Sequence, residues 1–313
     1  MGRCKFILLL IFAVFTSEAQ VNQYFVFFKD KANTPYSISS PAQFLSYRSI
    51  GRRQKQNIPV IEEDLPVNPG YVNGVKQTGA TVFYASRWWN GVLVEGDAAA
   101  ITSINSLSFV SHSILVAPGK KNVSGRVRST RQKKNATSDM PVNQTQLQQI
   151  GLDEMHTQGY AGSGVRIAIF DSGFQGVNLS DPFLHLFNEN RVKYTFNFVN
   201  NTISVYQRDD HGTEVLSVMA ASTTGVYTGG AYQAEYLLFI TEDVSSEYRV
   251  EEFNWTIAAE RADSAGVDVI NTSLGYTDFD DPSMDYAKSD LNGETAIITR
   301  ASRKAIEKGI VVV

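Results

Sequence analysis

The stretch Val165-Arg-Ile-Ala-Ile-Phe-Asp171-Ser-Gly173 constrains the fold more than any other part of the chain. Val165, Ile167, Ala168, Ile169 and Phe170 form an almost unbroken apolar run. Such a run suits a strand buried on both faces of a parallel sheet. Asp171 stands where that strand would leave the sheet, and Ser172-Gly173 supply a turn. Open α/β sheets build their sites at the carboxyl ends of their strands. A carboxylate buried there needs a partner, because an unpaired buried charge is costly.

The candidate partner lies in Asp209-Asp210-His211-Gly212-Thr213. His211 precedes Thr213–Ala221, which has a helical pattern, and Gly212 allows close backbone approach at the helix start. A carboxylate that accepts from one imidazole nitrogen fixes the tautomer and leaves the other nitrogen free to act as a base. Alone, Asp171 reads as a turn cap and His211 as a surface histidine; together they favour a catalytic pair.

Ile169-Phe-Asp171-Ser-Gly173 and His211-Gly-Thr213 resemble the Asp and His motifs of subtilases, the subtilisin-like serine peptidases. Val267-Asp-Val-Ile-Asn-Thr-Ser-Leu-Gly275 is similar to that family's internal strand, whose Ser-Leu-Gly end pairs with the substrate backbone. The order Asp then His is the subtilisin order. The resemblance implies catalytic roles for Asp171 and His211 and substrate binding by Ser273, Leu274 and Gly275. Glu214 departs from the family, where a second histidine is frequent after His-Gly-Thr. The family's Gly-Thr-Ser nucleophile motif and its Ala-Gly-Asn oxyanion turn do not occur in the 313 residues. The expectation is therefore a chain truncated before its oxyanion Asn and nucleophilic Ser, inactive alone.

The rest of the chain reads as an organised precursor. Residues 1–19 look like a secretory signal, with Arg3 and Lys5 before an apolar core too short to span a bilayer. Cys4, the single cysteine, leaves with that segment, so no disulfide is expected. Residues 20–117 read as β-α-β-β-α-β, the order of a ferredoxin-like α+β domain. Its elements are strands at Tyr24–Phe28, Ala80–Ala85, Val92–Glu95 and Phe109–Val116, a helix over Ala42–Arg53 and a helix from the cap Asp97 to Leu107. The pattern is similar to subtilase propeptides, which chaperone and inhibit their enzymes. Residues 118–140 are a basic linker containing Lys120, Lys121, Arg126, Arg128, Arg131, Lys133 and Lys134, a solvated connector or a processing site.

From 141 to 313, strands alternate with helices, the pattern of a parallel sheet with helices on both faces. A helix is expected over Gln144–Gly159 with Leu147, Ile150, Leu152 and Met155 inward, and a strand over Val267–Leu274. Asp278, Asp280, Asp281, Asp285 and Asp290 offer the hard oxygens that calcium takes. Their spacing fits no ligand loop, so they read first as a solvated acidic loop; no cofactor is expected, with calcium left as the alternative they allow. Asn-x-Ser/Thr triplets at Asn122, Asn135 and Asn271 are glycosylation acceptors only in a suitable host, and Asn271 falls inside a predicted buried strand. A net charge of -4 gives no sign of nucleic-acid binding. The reading is a secreted serine endopeptidase made as a zymogen, whose partners are peptide substrates and its own propeptide domain, with no nucleic acid and no membrane span. A non-catalytic degenerate protease, or a propeptide-type inhibitory module, is the alternative.

Overall fold

The computed structural model describes residues 20–119 and 142–313. The predicted signal segment, Cys4, nearly all of the basic linker, Asn122 and Asn135 lie outside the described residues.

The first unit contains strand β1 (Asn22–Phe28), helices α1 (Tyr47–Lys55) and α2 (Pro69–Lys76), the hairpin β2 (Thr81–Ser86) and β3 (Gly91–Gly96), helix α3 (Ala98–Asn105) and strand β4 (Val110–Ala117). Its antiparallel sheet has the order β2-β3-β1-β4, the ferredoxin-like arrangement expected. Period-two alternation gives the sheet two buried faces. Val26, Phe28, Val92 and Val94 pack with Val75 and Ile104 of the unit's own helices. Phe25, Leu93 and Val116 face the second unit.

Two helix starts differ from the sequence reading. The helix expected from Ala42 begins at Tyr47, because the Ser46 side chain accepts from Ser49 N and fixes the N-cap there. α2 was not foreseen, although Asn68-Pro69 is a start signal: Asn68 Oδ1 accepts from Gly70 N at 2.7 Å, and Pro69 occupies the first turn. The Asp97 cap holds as expected, accepting from Ala100 N at 2.8 Å.

The second unit opens with α4 (Gln144–Gln149) and α5 (Leu152–Thr157) where one helix was expected. Gly151, at φ +70°, breaks the run, since a left-handed residue cannot continue a helix. Only Leu147 of the expected inward face is buried; Ile150 and Met155 are exposed. Then come β5 (Arg166–Asp171), α6 (Leu184–Asn188), β6 (Val192–Asn197), α7 (His211–Ala220), the short hairpin β7 (Ser222–Thr223) and β8 (Tyr227–Thr228), β9 (Glu235–Ile240), α8 (Val250–Ala265), β10 (Val269–Thr272), α9 (Ile297–Glu307) and β11 (Val311–Val312). Five strands form a parallel sheet in the order β11-β10-β5-β9-β6. Ile167 and Ile169 pack toward Leu216 of α7, while Ala168 and Phe170 pack toward Trp255 and Ala258 of α8. The sheet thus carries helices on both faces, and β5, central in it, is buried on both.

α8 joins the two units. On one side Trp255 meets Phe170 edge-on, with ring centroids 5.3 Å apart. On the other, Phe253 stacks on Phe25 at 4.3 Å, and Trp89 Nε1 donates to Thr256 Oγ1. The fully buried Asp263 carboxylate accepts from three arginines of the first unit, Arg52, Arg53 and Arg87; Arg53 also donates to Asp64. The Glu260 carboxylate accepts from Ser86 Oγ and from the backbone N–H groups of Arg87 and Trp88.

Candidate active site

β5 delivers Asp171 to the carboxyl edge of the sheet, and the first turn of α7 delivers His211 beside it. His211 Nδ1 lies 2.8 Å from Asp171 Oδ1. The same oxygen accepts from Ser172 N at 2.7 Å and from Ser172 Oγ at 3.2 Å. Asp171 is fully buried, whereas the His211 side chain is about a quarter exposed. Burial pushes the Asp171 carboxyl above the ordinary value; the hydrogen bonds from Ser172 and His211 pull it back. With Nδ1 committed to the carboxylate, the imidazole's remaining nitrogen is free for proton transfer at the exposed end.

The two segments touch through glycines. A Cβ on Gly212 would meet the Gly173 carbonyl oxygen at 2.4 Å, the Phe174 ring at 2.9 Å and the Asp171 Cβ at 3.0 Å. A Cβ on Gly173 would meet Asp209 O at 2.4 Å and Asp209 N at 2.6 Å. Gly173 also forms an isolated antiparallel bridge with Arg208, a residue held at φ +77°. Asp209 Oδ1 accepts from His211 N at 2.9 Å and fixes the entry to α7. Because the obstacles to a larger residue at 212 are backbone and Asp171 itself, Gly212→Ala should destabilise the chain by about 1–3 kcal/mol, the usual cost of overpacking. Urea denaturation reads this; a change below about 0.5 kcal/mol, the range of ordinary surface substitutions, would show that the two segments are not locked.

A cleft of about 160 Å³ opens at this edge, lined by Ser172, Asp209, His211, Glu242, Val244, Ser273 and Leu274. Of the three residues expected to hold substrate, the structure puts Ser273 and Leu274 in the cleft wall with His211. Gly275 follows them, and a Cβ there would meet nothing. The strand expected over Val267–Leu274 ends at Thr272, so all three follow β10 in irregular chain. Asn271 sits inside that sheet strand.

The acidic loop is used for turns. Asp281 accepts from Ser283 N, Asp285 from Phe279 N, Asp290 from Ala287 N and Asp280 from Glu247 N. A different set was missed in the sequence: Glu242, Glu247 and Glu251 place carboxylate oxygens within 4.8 Å of one another. Glu242 directly follows Thr241 at the carboxyl end of β9. The rule that singled out Asp171 also points there.

Residues 162–313 match the subtilase family, and residues 23–137 match the peptidase S8 propeptide domain of Bacteroidota. Subtilisin from Bacillus pumilus is 32% identical over 170 residues, covering 53% of this chain and 52% of its own length. Subtilisin E from Bacillus subtilis (strain 168) is also 32% identical over 170 residues, covering 37% of its length. The chain thus spans about half or less of the length of these relatives. The epidermin leader peptide processing serine protease from Staphylococcus aureus shares the fold, with a TM-score of 0.54 at 14% identity, over 94% of this chain and 59% of that one.

Proposed function

The chain belongs to the subtilase family, with a propeptide domain ahead of its peptidase domain, and from that premise we propose that it is the amino-terminal portion of a secreted serine endopeptidase made as a zymogen. The observation that carries the reading is the 2.8 Å contact between His211 Nδ1 and the buried Asp171 carboxylate at the open edge of a parallel sheet. In the proposed reaction a serine that follows Val313 attacks the peptide carbonyl. His211 takes the serine proton and returns it to the leaving amine, while Asp171 orients the imidazole and stabilises its charged form. Ser273, Leu274 and Gly275 hold the substrate as an added strand by backbone hydrogen bonds. The open space at Gly275 supports this role.

Expressed together with the coding sequence that follows Val313, the protein should hydrolyse peptide amides and take one fluorophosphonate label on a serine. The 313 residues alone should do neither. Losing the nucleophile leaves at best about 10³–10⁴-fold over water in well-studied triads, and that residue needs an intact oxyanion hole. Stoichiometric labelling of a serine among the 313 residues would refute the assignment. So would an inert longer protein, which would favour the non-catalytic alternative.

A further inference from the structure

Among the described residues, six that are not glycine hold a positive φ, and five of them are asparagines: Asn33, Asn57, Asn90, Asn190 and Asn201. Asparagine tolerates the left-handed region because its short polar side chain bonds locally. The sixth is Arg208, at φ +77°. An arginine gains nothing from that backbone, so strain is stored there, and strain of this kind collects at functional sites. Arg208 stands three residues before His211, in the segment that enters α7.

What the arginine supplies is a tie. Its backbone bridges Gly173, just past the end of β5. The next residue, Asp209, accepts from Gln175 N through its carbonyl and from His211 N through its carboxylate. The guanidinium reaches the other way: Arg208 Nη2 donates to Asp243 Oδ1 at 3.0 Å. Asp243 is a firm post. It lies just past β9, and its side chain is only 11% exposed. The same oxygen accepts from Ser245 N and Ser245 Oγ, and the Asp243 N–H donates to Glu251 Oε1 on α8. β9 is paired with β5 beside the site, where Thr241 N donates to the Asp171 carbonyl. The end of β5, the entrance of α7 and the end of β9 therefore close into one frame, with Arg208 joining the second to the third. His211 depends on that frame, because its own side chain stands at the open edge and is about a quarter exposed.

Resting on the peptidase reading above, we propose that Arg208 is a positioning residue for His211. Its ion pair with Asp243 clamps the entrance of α7 against the end of β9 and holds the imidazole in line with Asp171.

Arg208→Gly, made in the longer protein, separates this role from a turn-forming one. Glycine takes φ +77° without a Cβ clash, so stability against urea should hold or rise. The kcat should nonetheless fall by about 10–100-fold, the scale on which a small displacement of a catalytic group costs rate, while KM stays the same. Asp243→Ala should lower kcat in the same way, and the double variant should be little worse than the worse single one. Normal turnover in Arg208→Gly, a change confined to KM, or losses that multiply in the double variant overturns the inference. If Arg208→Gly does not fold, Arg208→Asn is read in its place; a fold lost in both makes the residue structural and also overturns it. A second readout needs no nucleophile. In the 313-residue chain, the Nδ1 proton that His211 shares with Asp171 is assigned by its loss from the NMR spectrum of His211→Ala. It should exchange with water at least about tenfold faster in Arg208→Gly than in the unaltered chain, the mark of a pair that opens locally. Equal exchange overturns the inference whether the longer protein is active or inert, so the clamp and the catalytic reading fail separately.

Discussion

Asp171→Asn, made in the longer protein, should keep the fold and lower turnover by about 10⁴, the scale seen when a triad carboxylate no longer enforces the right tautomer. The two side chains are nearly the same shape, and Asp171 is fully buried, so the packing around it is preserved. What changes is the hydrogen bond. Asp171 Oδ1 accepts from Ser172 N and meets His211 Nδ1 at 2.8 Å. Both contacts fall on this one oxygen, so an asparagine that turns its NH₂ toward His211 loses the acceptor for Ser172 N as well, and in either orientation the imidazolium loses the carboxylate's negative charge. His211→Ala should be at least as damaging, because it removes the base. The double variant should be little worse than the worse single one, since such residues act as a unit. A capping aspartate and an unrelated histidine would instead lose stability in additive steps and leave turnover per folded molecule nearly unchanged. Near-normal turnover in either single variant, normalised to folded protein by circular dichroism, would remove the residue from the mechanism.

The second large effect is expected at the seam between the two units. Asp263→Ala should weaken the docking of the first unit by about 3–5 kcal/mol, the cost of breaking a buried ion network by removing one partner. Arg52, Arg53 and Arg87 all donate to this carboxylate, and none of the four side chains is more than 9% exposed. The loss leaves three guanidinium groups in a buried interface; among the described residues, Arg53 alone of the three has an ion pair with another carboxylate, Asp64. The control is Asp268→Asn, which touches the same seam through Arg48, with both side chains about one-third exposed. An exposed pair of this kind contributes roughly 0–1 kcal/mol. Tryptophan fluorescence in a urea titration reads both, because Trp88 and Trp89 are buried at the interface. If the two substitutions cost the same, the buried network adds nothing to docking.

How much of this was legible in the sequence depended on whether the signal was local. β5 announced itself because a strand buried on both faces must be apolar throughout, and Asp171 stood out as the charge that ends it. The ferredoxin-like order was legible because its strands alternate with period two. Two starts were set by single side chains: the Ser46 hydroxyl moved one helix five residues on, and Asn68-Pro69 began another that hydrophobic spacing alone did not show. The helix over 144–159 failed because one glycine in a left-handed conformation outweighed a plausible apolar spacing. The glutamate set was illegible as a unit, since Glu242 follows a strand while Glu251 lies on a helix, and only the fold brings them together.

α8 has one consequence for the life history of the molecule. Most of the helix is covered, yet its two sides have different futures. Trp255 and Ala258 pack against the sheet, a neighbour that stays. Glu260 and Asp263 are paired with the first unit, which in the proposed zymogen is the neighbour that leaves. That outer side is mixed: Phe253 stacks on Phe25 of the first unit, while Glu260 and Asp263 meet its polar groups. The carboxylates satisfy arginines and backbone N–H groups while the units are joined, and carboxylates hydrate readily in water. In the proposed zymogen, separation would therefore uncover a face that is part aromatic and part charged.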